Sequence, residues 1–196
     1  LDNILLPPPK LKGKISLEEA ISRRRSIREF SSKEISIEEL SQILWAAQGI
    51  TGEEWGYKLR SVPSAGALYP IELYAALPRG IYHYIPERHE LVKIAGQDVR
   101  YELSRAALSQ EFIAQAPLDL VIAAVFERTK AKYGERGARY VYVEAGHVSQ
   151  NVYLQCESLG LATVAVGAFY DEQVQRILKM PENHRPIYIM PVGYKR

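Results

Sequence analysis

The run from Arg139 to Leu159 limits the possible folds of this 196-residue chain more than any other. Within it, Val141, Ala145, Val148, Val152, Cys156 and Leu159 recur at spacings of three or four, which predicts one helix with a continuous apolar stripe. A helix of that length extends roughly 30 Å, enough to form the central support of a domain. Gly146 lowers its helix propensity but permits close packing. The chain length suits one domain, so the stripe needs a partner surface within it or on a second copy.

The remaining pattern supplies that surface. Ser16 with Glu19, and Ser36 with Glu39, have the spacing of capping boxes. After the second, Ile37, Leu40, Ile43, Leu44 and Ala47 predict a helix that Gly49 stops. Residues 71–77 (IELYAAL), IYHY after Gly80, 118–126 (LDLVIAAVF) and the late IYIMPV read as strands, the third as a central one. Ala106 to Ala116 reads as helical, and Asp171 can cap another short helix. The stretch TGEEWGYKLRSVPSAGALYP reads as a long functional loop. Pro7, Pro8 and Pro9 keep the start extended, so residues 1–14 are expected to be an arm and 15–196 a single domain. The expectation is a mixed α/β domain without the alternation of a barrel or the period of a repeat.

Composition excludes several function classes. Hydrophobic residues make up 47% and charged residues 24%, as in a folded rather than a disordered chain. Lys and Arg total 25 against 23 Asp and Glu, so no basic nucleic-acid footprint is present, and no nucleic-acid partner is expected. Apolar runs end well short of a bilayer's thickness, so no membrane association is expected. A lone Cys156 makes neither an intrachain disulfide nor a cysteine metal cluster. The initial LDNILLPPPKLKGK lacks a secretory-type apolar core, which makes the cytoplasm the default expectation. His83, His89, His147 and His184 are scattered and none lies in an HExxH pattern, so no metal site is expected.

Three segments carry candidate chemistry. Arg24, Arg25, Ser26 and Arg28 can neutralise and orient a phosphate, although a basic helix end accounts for the same residues. SVPSAGALYP offers Ser61 and Ser64 hydroxyls, small residues for close approach and the Tyr69 ring, yet an ordinary turn explains it nearly as well. It matches neither a dinucleotide nor a nucleoside-triphosphate loop, and no GxSxG marks Ser64 as a nucleophile. Gly160, Leu161, Thr163, Val164 and Gly167 let backbone approach a flat ring, or simply form a buried strand.

Taken in order, RRSIREF, SVPSAGALYPIELY, KYGERGARYVYVEAGHVSQN and LGLATVAVGAF resemble the FMN-dependent nitroreductase family, most closely its SagB-type branch. The resemblance runs from about Ile21 to the C-terminal IYIMPVGYKR. It implies an α+β fold with a mixed, mainly antiparallel sheet flanked by helices, in a homodimer with FMN at the subunit interface. By the same resemblance, Arg24, Arg25, Ser26 and Arg28 surround the FMN phosphate, ribityl and polar edge. Pro63, Ser64, Ala65, Gly66 and Leu68 line the flavin pocket, Val164, Ala165, Val166 and Gly167 pass the ring, and Lys195 and Arg196 supplement the phosphate site. The family often has a Glu-Gly pair where this chain has Val166-Gly167, so no carboxylate role carries over.

The function expected from this resemblance is flavin reduction by NADH or NADPH, then electron transfer to a quinone, nitroaromatic or other electron-poor small molecule in a ping-pong cycle. The main rival is SagB-like oxidation of an azoline in a modified peptide, for which Lys132 and Tyr133 resemble the catalytic pair. A solvated loop is the competing explanation of that pair, given Lys130, Glu135 and Arg136 beside it. A third reading is an FMN-binding protein without turnover. His147 is expected to orient or pack rather than to transfer protons, and Cys156 to be a small buried residue.

Overall fold

The computed structural model describes residues 2–196. In chain order the elements are β1 (Ile4–Leu5), α1 (Leu17–Arg23), α2 (Ile37–Gln48), β2 (Ile50–Glu54), β3 (Tyr57–Arg60), β4 (Ile71–Leu77), β5 (Gly80–Ile85) and β6 (Glu90–Ala95). There follow α3 (Arg100–Ala106), α4 (Glu111–Gln115), β7 (Leu118–Ala124), α5 (Phe126–Tyr133), α6 (Gly137–Leu159), β8 (Ala162–Thr163), α7 (Asp171–Ile177) and β9 (Arg185–Gly193). Both expected capping boxes form: Ser16 and Ser36 each accept from the backbone N–H three residues on, and Glu19 and Glu39 return the bond.

Seven strands make an antiparallel sheet in the order β1-β6-β5-β4-β7-β9-β8. Every residue of β7 is buried, because both faces of the sheet are covered. Leu118, Leu120, Ile122 and Ala124 face a core shared with α2 and the α6 stripe of Val141, Ala145, Val148, Val152 and Cys156. Val121 and Ala123 face a second core formed with residues of α3 and α7. Period-two alternation thus assigns one strand to two cores.

The structure corrects several sequence expectations. The 51–70 stretch is not one loop: β2 and β3 form a separate antiparallel hairpin, with Trp55 and Gly56 at positive φ in its turn. Of the helix expected over 106–116 only its second half forms, as α4: α3 lies earlier and ends at Ala106, and Leu108 and Ser109, both with φ 59°, interrupt the helical path between them. The strand expected over 118–126 ends at Ala124, and Phe126 already begins α5. β1 and β6 escaped the reading because β1 is two residues long and β6 is fully buried at Leu91 alone. The arm lies across its own chain: β1 pairs with β6, Ser41 Oγ donates to the Pro7 carbonyl, and Gln42 exchanges two hydrogen bonds with the Lys10 backbone. Among the described residues, no helix is long and apolar enough to cross a membrane.

The β4–β5 turn depends on one glycine. Gly80 has φ 138°, and a Cβ there would collide with the Ala95 carbonyl of β6. Gly80→Ala is therefore expected to lower unfolding stability by roughly 2 kcal/mol or more. Urea denaturation would check this, and a midpoint shift indistinguishable from zero would refute it.

Candidate active site

α6 supplies two polar positions around which the candidate residues gather. Near its C-terminal half, Tyr153 Oη shares a 2.9 Å hydrogen bond with Ser26 Oγ and accepts one of 2.8 Å from the Ala165 N–H. The Arg24 guanidinium lies over the same ring, 5.1 Å from its centroid. The arginine turn is also joined to the following strand by backbone: Ser26 bridges Thr163, and Ile27 N–H donates to the Thr163 carbonyl at 3.0 Å. Phe30 bridges Lys195, and Arg196 N–H reaches the Glu29 carbonyl. Arg24–Arg28, residues 163–165 and the C-terminal Lys195–Arg196 are thus tied into one region.

That region carries uncompensated positive charge. Among the described residues, Arg24, Arg25, Arg28, Lys195 and Arg196 make no ion pair with a carboxylate. Arg25 is turned back, donating to the Ser22 and Arg24 carbonyls. The buried Thr163 hydroxyl lacks a partner. Val164 and Val166 point into the second core, and Val166 exchanges two 2.9 Å backbone bonds with Ile189. Half-buried Ala165 packs against the first core, and Gly167 is exposed. Clustered cations, hydroxyls and small residues fit a phosphate-bearing planar cofactor such as FMN.

The second position is Glu144, nine residues from Tyr153, or about 14 Å along the axis and on the opposite side of α6. Ser64 Oγ donates to Glu144 Oε2 at 2.7 Å and accepts from the Tyr69 N–H at 2.9 Å, which fixes both ends of the 64–69 loop. Between them Gly66 adopts φ 63°, and Ala67 and Tyr69 also have positive φ. A Cβ on Gly66 would stand 2.9 Å from Tyr133 Oη and 3.1 Å from Lys132 Nζ. The fold thus brings Gly66 against Lys132 and Tyr133, 66 and 67 positions away in the chain. Tyr133 packs edge-on to Tyr140 of α6 at 5.1 Å. Pro63 is exposed, and Leu68 is half-buried at the end of the 3-10 turn.

Sequence reasoning missed Tyr153, Glu144 and Arg60. Glu144 was readable: it lies three residues after Val141 and four before Val148, inside the apolar stripe. Burial pushes its carboxyl up to about 7, although the Ser64 hydrogen bond and the nearby Arg60 charge oppose the shift. Glu144 Oε1 and Gln48 Nε2 are buried without partners, while Arg60 holds Gln48 Oε1 at 2.7 Å and stacks over Tyr69. Tyr153 gave no signal, since a half-buried tyrosine beside the stripe resembles packing. His147 is exposed, and Cys156 is buried with its thiol pushed up by burial.

Comparison with known proteins now adds a family. The chain matches the nitroreductase family over residues 21–194, and it belongs to that family, whose fold is that of an oxidoreductase. It is 52% identical over 187 residues to the nitroreductase-type protein MJ1384 of Methanocaldococcus jannaschii, covering 92% of each chain. A nitroreductase-type structure from Ralstonia eutropha superposes with a TM-score of 0.88 at 31% identity, covering 99% of this chain and 90% of the other. A chain of the Escherichia coli microcin synthetase McbBCD complex, with truncated pro-MccB17 bound, gives a TM-score of 0.76 at 25% identity, covering 98% and 77%.

Because Glu144 is protonated at a higher pH in the folded than in the unfolded chain, the native state holds the extra proton between about pH 4.5 and 7. Stability contributed by this group is then lost as pH rises through that window. Glu144→Gln is expected to remove that part of the slope, measured as urea midpoints from pH 4.5 to 7. An unchanged slope would show that Glu144 titrates normally.

Proposed function

We propose that this chain is an FMN-dependent oxidoreductase that takes reducing equivalents from NADH or NADPH and delivers them to a quinone, nitroaromatic or other electron-poor small molecule. The observation that carries this reading is the cation-rich 24–28 turn, stitched by backbone to Thr163 of β8 and to the C-terminus. In this reading FMN, when bound, supplies the redox chemistry by accepting and releasing two electrons. Arg24, Arg28, Lys195 and Arg196 hold its phosphate, with Arg25 adding charge at the turn. Tyr153 fixes Ser26 so that its hydroxyl does not have to be ordered on binding. Gly66 keeps the 64–69 loop low enough for a flat ring to approach, and Val164 and Val166 seal the floor against water from the core side.

The reading extends to a homodimer with the cofactor at the interface. It is supported by the outward face of α6, where Tyr142, Val143, Gly146 and His147 are exposed along successive turns. In a ping-pong cycle the donor leaves before the acceptor enters. A second reading, azoline oxidation in a modified peptide, is favoured by the approach of Lys132 Nζ and Tyr133 Oη to the Gly66 backbone. There one of these side chains would take the substrate's proton, and the cofactor, when bound, would supply the two-electron acceptor.

Anaerobic stopped-flow absorbance with NADH and NADPH, followed by quinone, nitroaromatic and azoline-peptide acceptors, separates the readings. Bleaching by a nicotinamide and recovery with a small acceptor are expected. Azoline-dependent bleaching abolished by Lys132→Ala and Tyr133→Phe would replace the first reading with the second. Flavin that stays bound and is reduced by none of these would leave a binding protein without turnover. Arg24→Ala is expected to weaken FMN retention about tenfold or more, as loss of one charge-assisted hydrogen bond would. Unchanged affinity in a folded variant removes Arg24 from the phosphate site.

A further inference from the structure

We propose that Glu72, His83 and His184 form a binding site for a first-row divalent transition metal, best matched to zinc. One ligand atom from each residue lies within 4.8 Å of those of the other two. The residues are far apart in sequence, and pairing of β4 with β5 brings the first two together: Tyr74 lies opposite His83, and Glu72 is two residues before Tyr74 on the same face. His184, immediately before β9, completes the group. The two imidazoles stand edge-on, with centroids 5.9 Å apart at 66°.

The surroundings prepare each group as a ligand. Tyr74 Oη bonds His184 Nδ1 at 2.7 Å, which fixes the ring and leaves Nε2 to coordinate. Glu72 is held in place from two sides, by His83 and by Arg128. The carboxylate is divided in use: Oε1 pairs with Arg128, and Oε2 meets His83 Nε2 at 2.6 Å. A zinc ion between Oε2 and Nε2 needs these atoms about 3.3 Å apart, a shift of well under 1 Å. Arg128 is partly exposed and engages the other oxygen, so it can steady the carboxylate as an outer partner. Two imidazoles and one carboxylate suit zinc or iron rather than magnesium or calcium, and three protein ligands leave a position for water.

The same contacts also describe a closed hydrogen-bond network, and metal titration distinguishes the two. Chelator-stripped protein would be titrated with Zn²⁺ against a chromophoric competitor, and with Co²⁺ followed by visible absorbance. One ion per chain is expected, with a rise in thermal midpoint on Zn²⁺ addition and no competition from equimolar Mg²⁺. His83→Ala and His184→Ala are each expected to weaken binding at least tenfold, and His147→Ala to leave it unchanged. Should His184→Ala not fold, Tyr74→Phe provides a milder test, since loss of an outer partner weakens metal affinity about 10- to 100-fold. Absence of stoichiometric binding, or binding that survives both His83→Ala and a folded His184 or Tyr74 variant, overturns the site. Neither measurement involves flavin, so the outcome is independent of the proposed redox activity.

Discussion

The packing of one long helix against a sheet buried on both faces governs everything else in this protein. Val141, Ala145, Val148, Val152 and Cys156 are held against the strand residues of the first core, which fixes the rotation of α6 about its axis. That rotation turns Glu144 towards Ser64, puts Tyr153 between Ser26 and Ala165, and leaves Tyr142, Val143 and His147 outside. A slip of this helix by one residue would rotate each of those groups by about 100° and dismantle both halves of the site.

Helices α1, α2 and α6 were legible because their signals are local. The apolar stripe of α6 and the Ser16 and Ser36 boxes each lie within a few turns of one another, and the structure forms all of them. Short elements were harder. The β2–β3 hairpin is largely exposed, so it lacks the alternation that marks a half-buried strand, and its glycines read as loop. The break at Leu108 and Ser109 uses left-handed backbone at residues that do not advertise it.

The candidate site was legible as segments but not as an arrangement. The arginine turn and the two small-residue stretches were visible as residue types suited to phosphate and a flat ring. Their joining through Tyr153 and through the Ser26–Thr163 bridge depends on tertiary pairing that no local spacing encodes. The same holds for Glu72, His83 and His184: four scattered histidines argue against a metal motif, yet cross-strand register sets His83 beside Glu72, and the chain entering β9 adds His184. Sequence distance is a poor guide wherever a strand pair supplies the geometry.

The β2–β3 hairpin stands outside the seven-stranded sheet, and Trp55 at its tip is 94% exposed. Its pairing is internal, so residues added or removed at that tip leave the register of every other strand untouched. Relatives of this protein can therefore differ in length there without remodelling their cores, and a foreign peptide grafted at Trp55–Gly56 would be displayed on a scaffold that folds as before.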